Sequence, residues 1–105
     1  MSLQTQEINL ELTEGFRSLP FRKEGARSTL YATFVKIKSP VFARLQHSTD
    51  WENWAEIDES AVEIAENAPV YTQAWTENVL PEGTMLRLVV EPTNAILSYI
   101  KHLSA

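Results

Sequence analysis

Polar and apolar residues alternate along much of this 105-residue chain, with the period of two that is typical of half-buried β-strands. Other stretches are rich in β-branched and aromatic residues, which also favour strands. Together the two patterns predict six strands of ordinary length. They are residues 7–12, 29–38, 41–47, 70–76, 85–91 and 95–103.

The connections between these strands follow from glycine, proline and small polar residues. Residues 13–28 contain two glycines and a proline, and this composition predicts a long loop whose apolar side chains pack against the core (Phe16, Leu19 and Phe21). Ser39 and Pro40 predict a turn that joins the strands on either side into a hairpin. In the last strand, Leu97 and Ile100 fall on opposite faces if the alternation is regular.

The segment 51–67 has two interpretations. Trp51, Trp54, Ala61 and Ala65 fall near helical spacing, and a polar residue before them could cap a helix. Against a helix, the isoleucines of the segment lie off this stripe and an Asp-Glu-Ser turn interrupts it. Strands near residues 54–58 and 62–65 are the favoured interpretation, with the helix as the alternative.

Seven or eight short strands, with turn signals every 8–12 residues or so, are typical of sandwiches and jelly rolls. The predicted fold class is therefore all-β, an antiparallel β-sandwich of jelly-roll-like type. The length fits a single domain over residues 1–105, with residues 1–4 as a flexible leader.

Charge is divided unevenly along the chain, which has a net charge of −5. Residues 1–48 carry seven basic and four acidic residues, whereas residues 49–105 carry two basic and ten acidic ones. An acidic chain of this kind does not favour binding to nucleic acid. Arg22, Lys23 and Arg27 are interpreted as part of a solvated surface loop, and the alternative is a basic surface patch that meets the acidic segment of a second copy.

Motifs for catalysis, cofactors or metals are not found in the sequence. With three glycines and no cysteine, the chain has neither a phosphate-binding loop nor thiolate chemistry. His47 and His102 match no metal-ligand spacing and are interpreted as surface or strand-edge residues. The prediction is a protein that is not an enzyme, with no cofactor and no metal. No apolar run approaches the length of a membrane span, and no secretion signal is evident, so we expect a protein made in the cytoplasm that does not bind membranes.

The segment Ser48-Thr49-Asp50-Trp51-Glu52-Asn53-Trp54 resembles the S-x-D-G-x-N-W turn of small β-sandwich proteins of tailed bacteriophages and prophages. Arg87-Leu88-Val89-Val90 is similar to a later strand of the same proteins. The resemblance implies a structural role in a virion, with other virion proteins or further copies of the chain as partners. Trp51 stands where these proteins have glycine, and if that glycine has a positive φ, Trp51 requires a different turn geometry.

The same turn also resembles one found in discoidin-like carbohydrate-binding modules, which implies a sugar ligand instead. In either case the Ser and Asp side chains are expected to accept backbone N–H bonds. Trp54 and Trp75 are expected in the core, and Trp51 partly exposed as a contact residue beside Glu52. The preferred function is a non-enzymatic assembly protein, with a carbohydrate-binding module as the alternative and a small enzyme of unrecognised type as a third possibility.

Overall fold

The structure, a computed structural model, describes residues 2–25, 27–57, 59–76 and 83–104. The described residues form ten strands: β1 (Ser2–Glu11), β2 (Phe16–Arg17), β3 (Phe21–Arg22), β4 (Arg27–Val35), β5 (Val41–Ser48), β6 (Ala55–Glu56), β7 (Val62–Ile64), β8 (Val70–Thr76), β9 (Met85–Val90) and β10 (Ile96–Ser104). None of the described residues belongs to a helix that is long and apolar enough to cross a membrane.

The strands form two antiparallel sheets that pack face to face. The four-stranded sheet has the order β1-β10-β4-β8. The six-stranded sheet has the order β2-β9-β5-β6, with β3 also paired to β9 and β7 also paired to β5. Because β2 and β3 occupy one edge in turn, and β6 and β7 the other, the ten strands fill eight positions. We number these positions 1 to 8 in chain order, with β2 and β3 sharing position 2 and β6 and β7 sharing position 5. The positions then follow the order 1-8-3-6 in one sheet and 2-7-4-5 in the other, which is the order of a jelly roll. The predicted sandwich is confirmed.

The core lies between the sheets because the central strands alternate in burial. In β4 the side chains of Leu30, Ala32 and Phe34 are buried and those between them are not. In β5 the predicted inner face is confirmed. It consists of Val41, Ala43 and Leu45.

The hairpin predicted around Ser39-Pro40 is wrong. β4 pairs with β10 and β8, whereas β5 pairs with β9, β6 and β7 in the other sheet. The connection therefore crosses the sandwich, next to the crossing from β9 to β10. Lys38 N donates to Asn94 O at 2.8 Å, and Thr93 Oγ1 donates to Pro40 O at 2.8 Å. A short polar turn does not by itself reveal whether it joins neighbours in one sheet or strands of facing sheets.

The ambiguous segment 51–67 forms strands, because β6 and β7 pair with β5. The predicted loop 13–28 is wrong in part, because it contains β2 and β3, which pair with β9. Within it Phe21 is buried and Phe16 is half-buried against the core, but Leu19 is 73% exposed.

The two ends of the described chain pair with each other. Residues 2–4, expected in a flexible leader, are the start of β1 and pair with residues 102–104 of β10. β10 is not regular, because its pairing with β4 shifts between Leu97 and Tyr99. This bulge turns both Leu97 and Ile100 into the core, where a regular alternation predicted opposite faces.

Candidate interaction surfaces

The segment 48–53, here called the Trp51 turn, is held by side chains that accept backbone N–H groups. Ser48 Oγ accepts from Asp50 N at 3.3 Å and from Trp51 N at 3.0 Å. Asp50 Oδ1 accepts from Glu52 N at 3.0 Å and from Asn53 N at 2.8 Å. These bonds, the one from Asn53 N first among them, lower the pKa of the Asp50 carboxyl well below its usual range. The predicted role of Ser48 and Asp50 is confirmed, and the turn is a closely bonded structure.

Trp51 combines backbone strain with exposure. Its φ is +69°, in the left-handed region that glycine favours, and its side chain is 61% exposed. Trp51 itself therefore adopts a positive φ, although it is not a glycine. Because its side chain is exposed, Trp51 contributes little to packing in the core. Trp51 is therefore the strongest single candidate for an external contact.

Trp54 lies under a charged side chain. The guanidinium carbon of Arg87 is 4.2 Å from the Trp54 ring centroid, and Arg87 Nε donates to Gln46 Oε1 at 2.7 Å. Arg87 and Gln46 are cross-strand neighbours on the outer face of the six-stranded sheet. Trp54 is thus half-buried against this outer face, where a core position was expected. The side chain of Trp75 lies outside the described residues.

The same outer face, here called the charged face, is crossed by an ion-pair network. Arg44 of β5 pairs with Glu56 of β6 and with Glu91 at the end of β9. The hydrogen bond to Glu91 is the largest of the interactions that raise the pKa of Arg44. The network links β5 to β6 and to the residue that follows β9.

The alternative, a basic surface patch, does not form. Arg22 is exposed on β3 at an edge of the six-stranded sheet, and Arg27 is exposed on the outer face of the four-stranded sheet. Lys23 is completely buried, with its Nζ bonded to the backbone carbonyl of Gly25. The alternation Phe21-Arg22-Lys23, in-out-in, was the available signal, but with two residues assigned to β3 it is too short to be recognised in the sequence.

His102 is also buried, so its assignment to the surface was wrong. It lies on the inner face of β10, bonded to the Ser28 hydroxyl, with the Phe21 ring 5.7 Å away. Burial, assisted by the charge of Lys23, lowers its pKa to about 4. The bulge in β10 determines which residues of that strand face inward, and the sequence gives no sign of it.

The two edges of the six-stranded sheet differ in charge. Residues 49–68 contain no Lys or Arg and include β6 and β7, so this edge is acidic. Its described acidic side chains are exposed, and apart from Asp50 in the turn they are Glu52, Glu56, Glu59, Glu63 and Glu66. The opposite edge carries exposed Arg17 and Arg22, and exposed Glu14 and Glu24 flank its two short strands.

The outer face of the four-stranded sheet, here called the apolar face, exposes large hydrophobic side chains. Leu3 is 61% exposed, Tyr31 38%, Val35 42% and Val70 46%. The register aligns this face in cross-strand rows that run β1-β10-β4-β8. The rows are Leu3–Leu103–Thr29–Ala74, Thr5–Lys101–Tyr31–Thr72 and Glu7–Tyr99–Thr33–Val70. Charge in these rows is confined to β1 and β10.

In the part of the chain that the structure describes, no three His, Asp or Glu side chains come together as a metal-binding group. No protein-family model matches the chain, and a comparison with curated proteins finds no match. The resemblance to phage proteins and to carbohydrate-binding modules therefore rests on short motifs, chiefly the Trp51 turn.

Proposed function

We propose that this protein is a non-enzymatic structural protein that assembles with further copies of itself, like the virion components of tailed phages and prophages that its turn resembles. The apolar face carries the proposal. Leucine, tyrosine and valine side chains are exposed there on three of the four strands. Several large apolar side chains exposed on one face of a sheet favour a contact with another protein.

The charge distribution of the six-stranded sheet supports self-assembly independently. Its acidic edge and the edge that carries Arg17 and Arg22 lie on opposite sides of one molecule. Two copies placed head to tail bring opposite charges together, which guides association and selects orientation more than it adds affinity. Such a contact repeats from copy to copy, and it builds a ring or a filament.

The jelly-roll order of the strands is compatible with the virion role, because viral capsid domains use it, and so do lectins. Fold alone does not decide function. The resemblance of the Trp51 turn and of the strand at Arg87 is what favours a virion component over other assemblies.

Size-exclusion chromatography with light scattering, at low and at high salt, tests the proposal. We expect a defined oligomer at low salt. A smaller mass at high salt would assign part of the assembly to the charged edges, since exposed charges are screened there. A monomer at both salts would contradict self-assembly.

A carbohydrate-binding module is the second candidate, and the exposed ring of Trp51 favours it. An exposed tryptophan on a rigid turn suits stacking against a sugar ring. Isothermal titration with a panel of oligosaccharides should then show binding that is lost in Trp51→Ala. Phe42→Ala is the matched control, because Phe42 is 53% exposed on β5, outside the Trp51 turn. No heat of binding with any sugar, or equal loss in both variants, would count against this function.

A further inference from the structure

The two sheets have four edges, and three of them carry features that prevent pairing with another strand. β1 contains Glu7 and is broken by a bulge immediately after it. The side chain of Gln4 donates to Arg22 O at 3.1 Å, and that of Gln6 to Leu19 O at 2.9 Å. These bonds fasten β1 to the edge of the other sheet.

Both edges of the six-stranded sheet are interrupted. On one edge, β2 and β3 have two residues each and are separated by a segment that contains Pro20. On the other edge, β6 and β7 are two and three residues long, and Glu56 and Glu63 belong to them. Short strands, proline and charge all oppose edge-to-edge association.

β8 has none of these features. Its seven residues, Val-Tyr-Thr-Gln-Ala-Trp-Thr, include no charge and no proline, and its pairing with β4 runs without a bulge. No described residue pairs with its outer edge. A strand of this composition, with an outer edge that no described residue pairs, is a template for another strand.

The backbone groups that point outward from β8 can be identified from its register. Phe34 N donates to Pro69 O at 3.0 Å, so residues 34 and 69 form a hydrogen-bonded pair with β4. Bonded and non-bonded pairs alternate in an antiparallel ladder. Tyr71 and Gln73 therefore also bond to β4, whereas Val70, Thr72, Ala74 and Thr76 direct their N–H and C=O groups away from it.

These four outward positions are complementary to themselves. In an antiparallel pair centred on Gln73 of both copies, Thr72 lies opposite Ala74 of the second copy, and Val70 lies opposite Thr76. Each of the four resulting pairs exchanges two hydrogen bonds, about eight in all. Thr72 and Ala74 are exposed, small and uncharged, so their side chains meet across the axis without a charge conflict.

We propose that two copies of this chain pair antiparallel through β8, which joins their four-stranded sheets into one continuous eight-stranded sheet. This inference rests on the proposed self-assembly and specifies its partner and register. The pairing is isologous, since the same strand serves in both copies. It also extends the apolar face, because the row that contains Tyr31 and Thr72 continues into Ala74 and Thr29 of the second copy.

The test compares two double variants by light scattering at an ionic strength of about 0.15 M. In Thr72→Lys/Ala74→Lys, like charges meet across the axis, and we expect the mass to fall at least two-fold. In Thr72→Lys/Ala74→Glu, each lysine lies opposite a glutamate of the second copy, and we expect the wild-type mass. Both pairs of substitutions are at exposed positions, so the second variant also controls for folding.

Thr5→Lys is the matched control on the opposite edge strand, because Thr5 is exposed in the same cross-strand row as Thr72. We expect it to keep the wild-type mass. Wild-type mass in the lysine–lysine variant would overturn β8 pairing while self-assembly stands. Equal dissociation of both double variants would overturn the register. A monomeric wild type would overturn self-assembly and the β8 inference with it.

Discussion

At the scale of single residues, Trp51 carries a strain that substitution can measure. A non-glycine residue in the left-handed region costs about 1–2 kcal/mol. In Trp51→Gly this cost disappears, and the greater freedom of glycine in the unfolded chain offsets part of the gain. Since the side chain is 61% exposed, little packing is lost. We expect the free energy of unfolding in urea to rise by about 1 kcal/mol.

Trp51→Ala is the control that isolates the backbone effect. It removes the same ring but leaves a residue with a Cβ at a φ of +69°. We expect the alanine variant to be less stable than the glycine variant. An alanine variant of equal or greater stability would show that the backbone at this position is not strained. If glycine stabilises the fold but removes the contact function, then Trp51 is kept for that contact at a cost in stability.

At the scale of elements, two serines replace the missing backbone partners where the edge strands are interrupted. Ser18 Oγ accepts from Leu88 N at 2.9 Å, and Ser60 Oγ accepts from Leu45 N at 3.1 Å. Leu45 and Leu88 are direct cross-strand partners. One rung of the six-stranded sheet therefore has a serine hydroxyl at each end, where a strand residue would normally stand.

Alanine at either serine leaves a buried N–H group without a partner. An unsatisfied buried donor costs about 1–3 kcal/mol. We expect Ser18→Ala and Ser60→Ala each to lower the free energy of unfolding by this amount, measured by denaturant titration. Ser39→Ala, at an exposed connection, should change it by less than about 0.5 kcal/mol. Losses no larger than that of Ser39→Ala would mean that water satisfies these groups.

The length of an element decides whether the sequence predicts it. β4 and β5 each alternate over eight residues or more with one face in the core, so their pattern is strong. β2, β3 and β6 have only two residues each, and a period of two cannot be recognised in them. Their position depends on the serine hydroxyls and on partners distant in the chain, which no local pattern encodes. The favoured strand interpretation of residues 51–67 is confirmed by β6 and β7, and Ile64 of β7 lies in the core.

At the scale of the whole molecule, the sandwich followed from the sequence, but the pairing of its strands did not. Each central strand has one buried face whichever sheet it joins, so the alternation of β4 and β5 fits a hairpin and a crossing equally well. The candidate interaction surfaces were likewise predicted only in part. Ser48 and Asp50 act within their own turn and were predicted, whereas the burial of Lys23 and His102 depends on the opposite sheet and on a bulge.

The buried His102 should make the stability of the whole molecule depend on pH. Its pKa is about 4 in the folded protein, against 6.5 in the unfolded chain. The unfolded state therefore binds the proton first as the pH falls. The neutral His102 therefore makes its full contribution to the free energy of unfolding above pH 6.5. This contribution decreases by roughly 3 kcal/mol as the pH falls towards 4. The groups that face His102 are Ser28, Lys23 and Glu24, and protonation would place a second charge near the Lys23 ammonium.

Net charge acts in the opposite direction, and the magnitudes decide between the two effects. The net charge of −5 becomes smaller in magnitude as carboxylates take up protons, which relieves repulsion along the acidic edge. These carboxylates are exposed, so each interaction is worth less than about 1 kcal/mol. We therefore expect the free energy of unfolding, measured in urea, to decrease as the pH is lowered from 7 to 4.5. His102→Gln should flatten this slope, whereas His47→Gln should retain it. A slope that His102→Gln does not change would show that the buried imidazole does not govern the acid stability of this jelly roll.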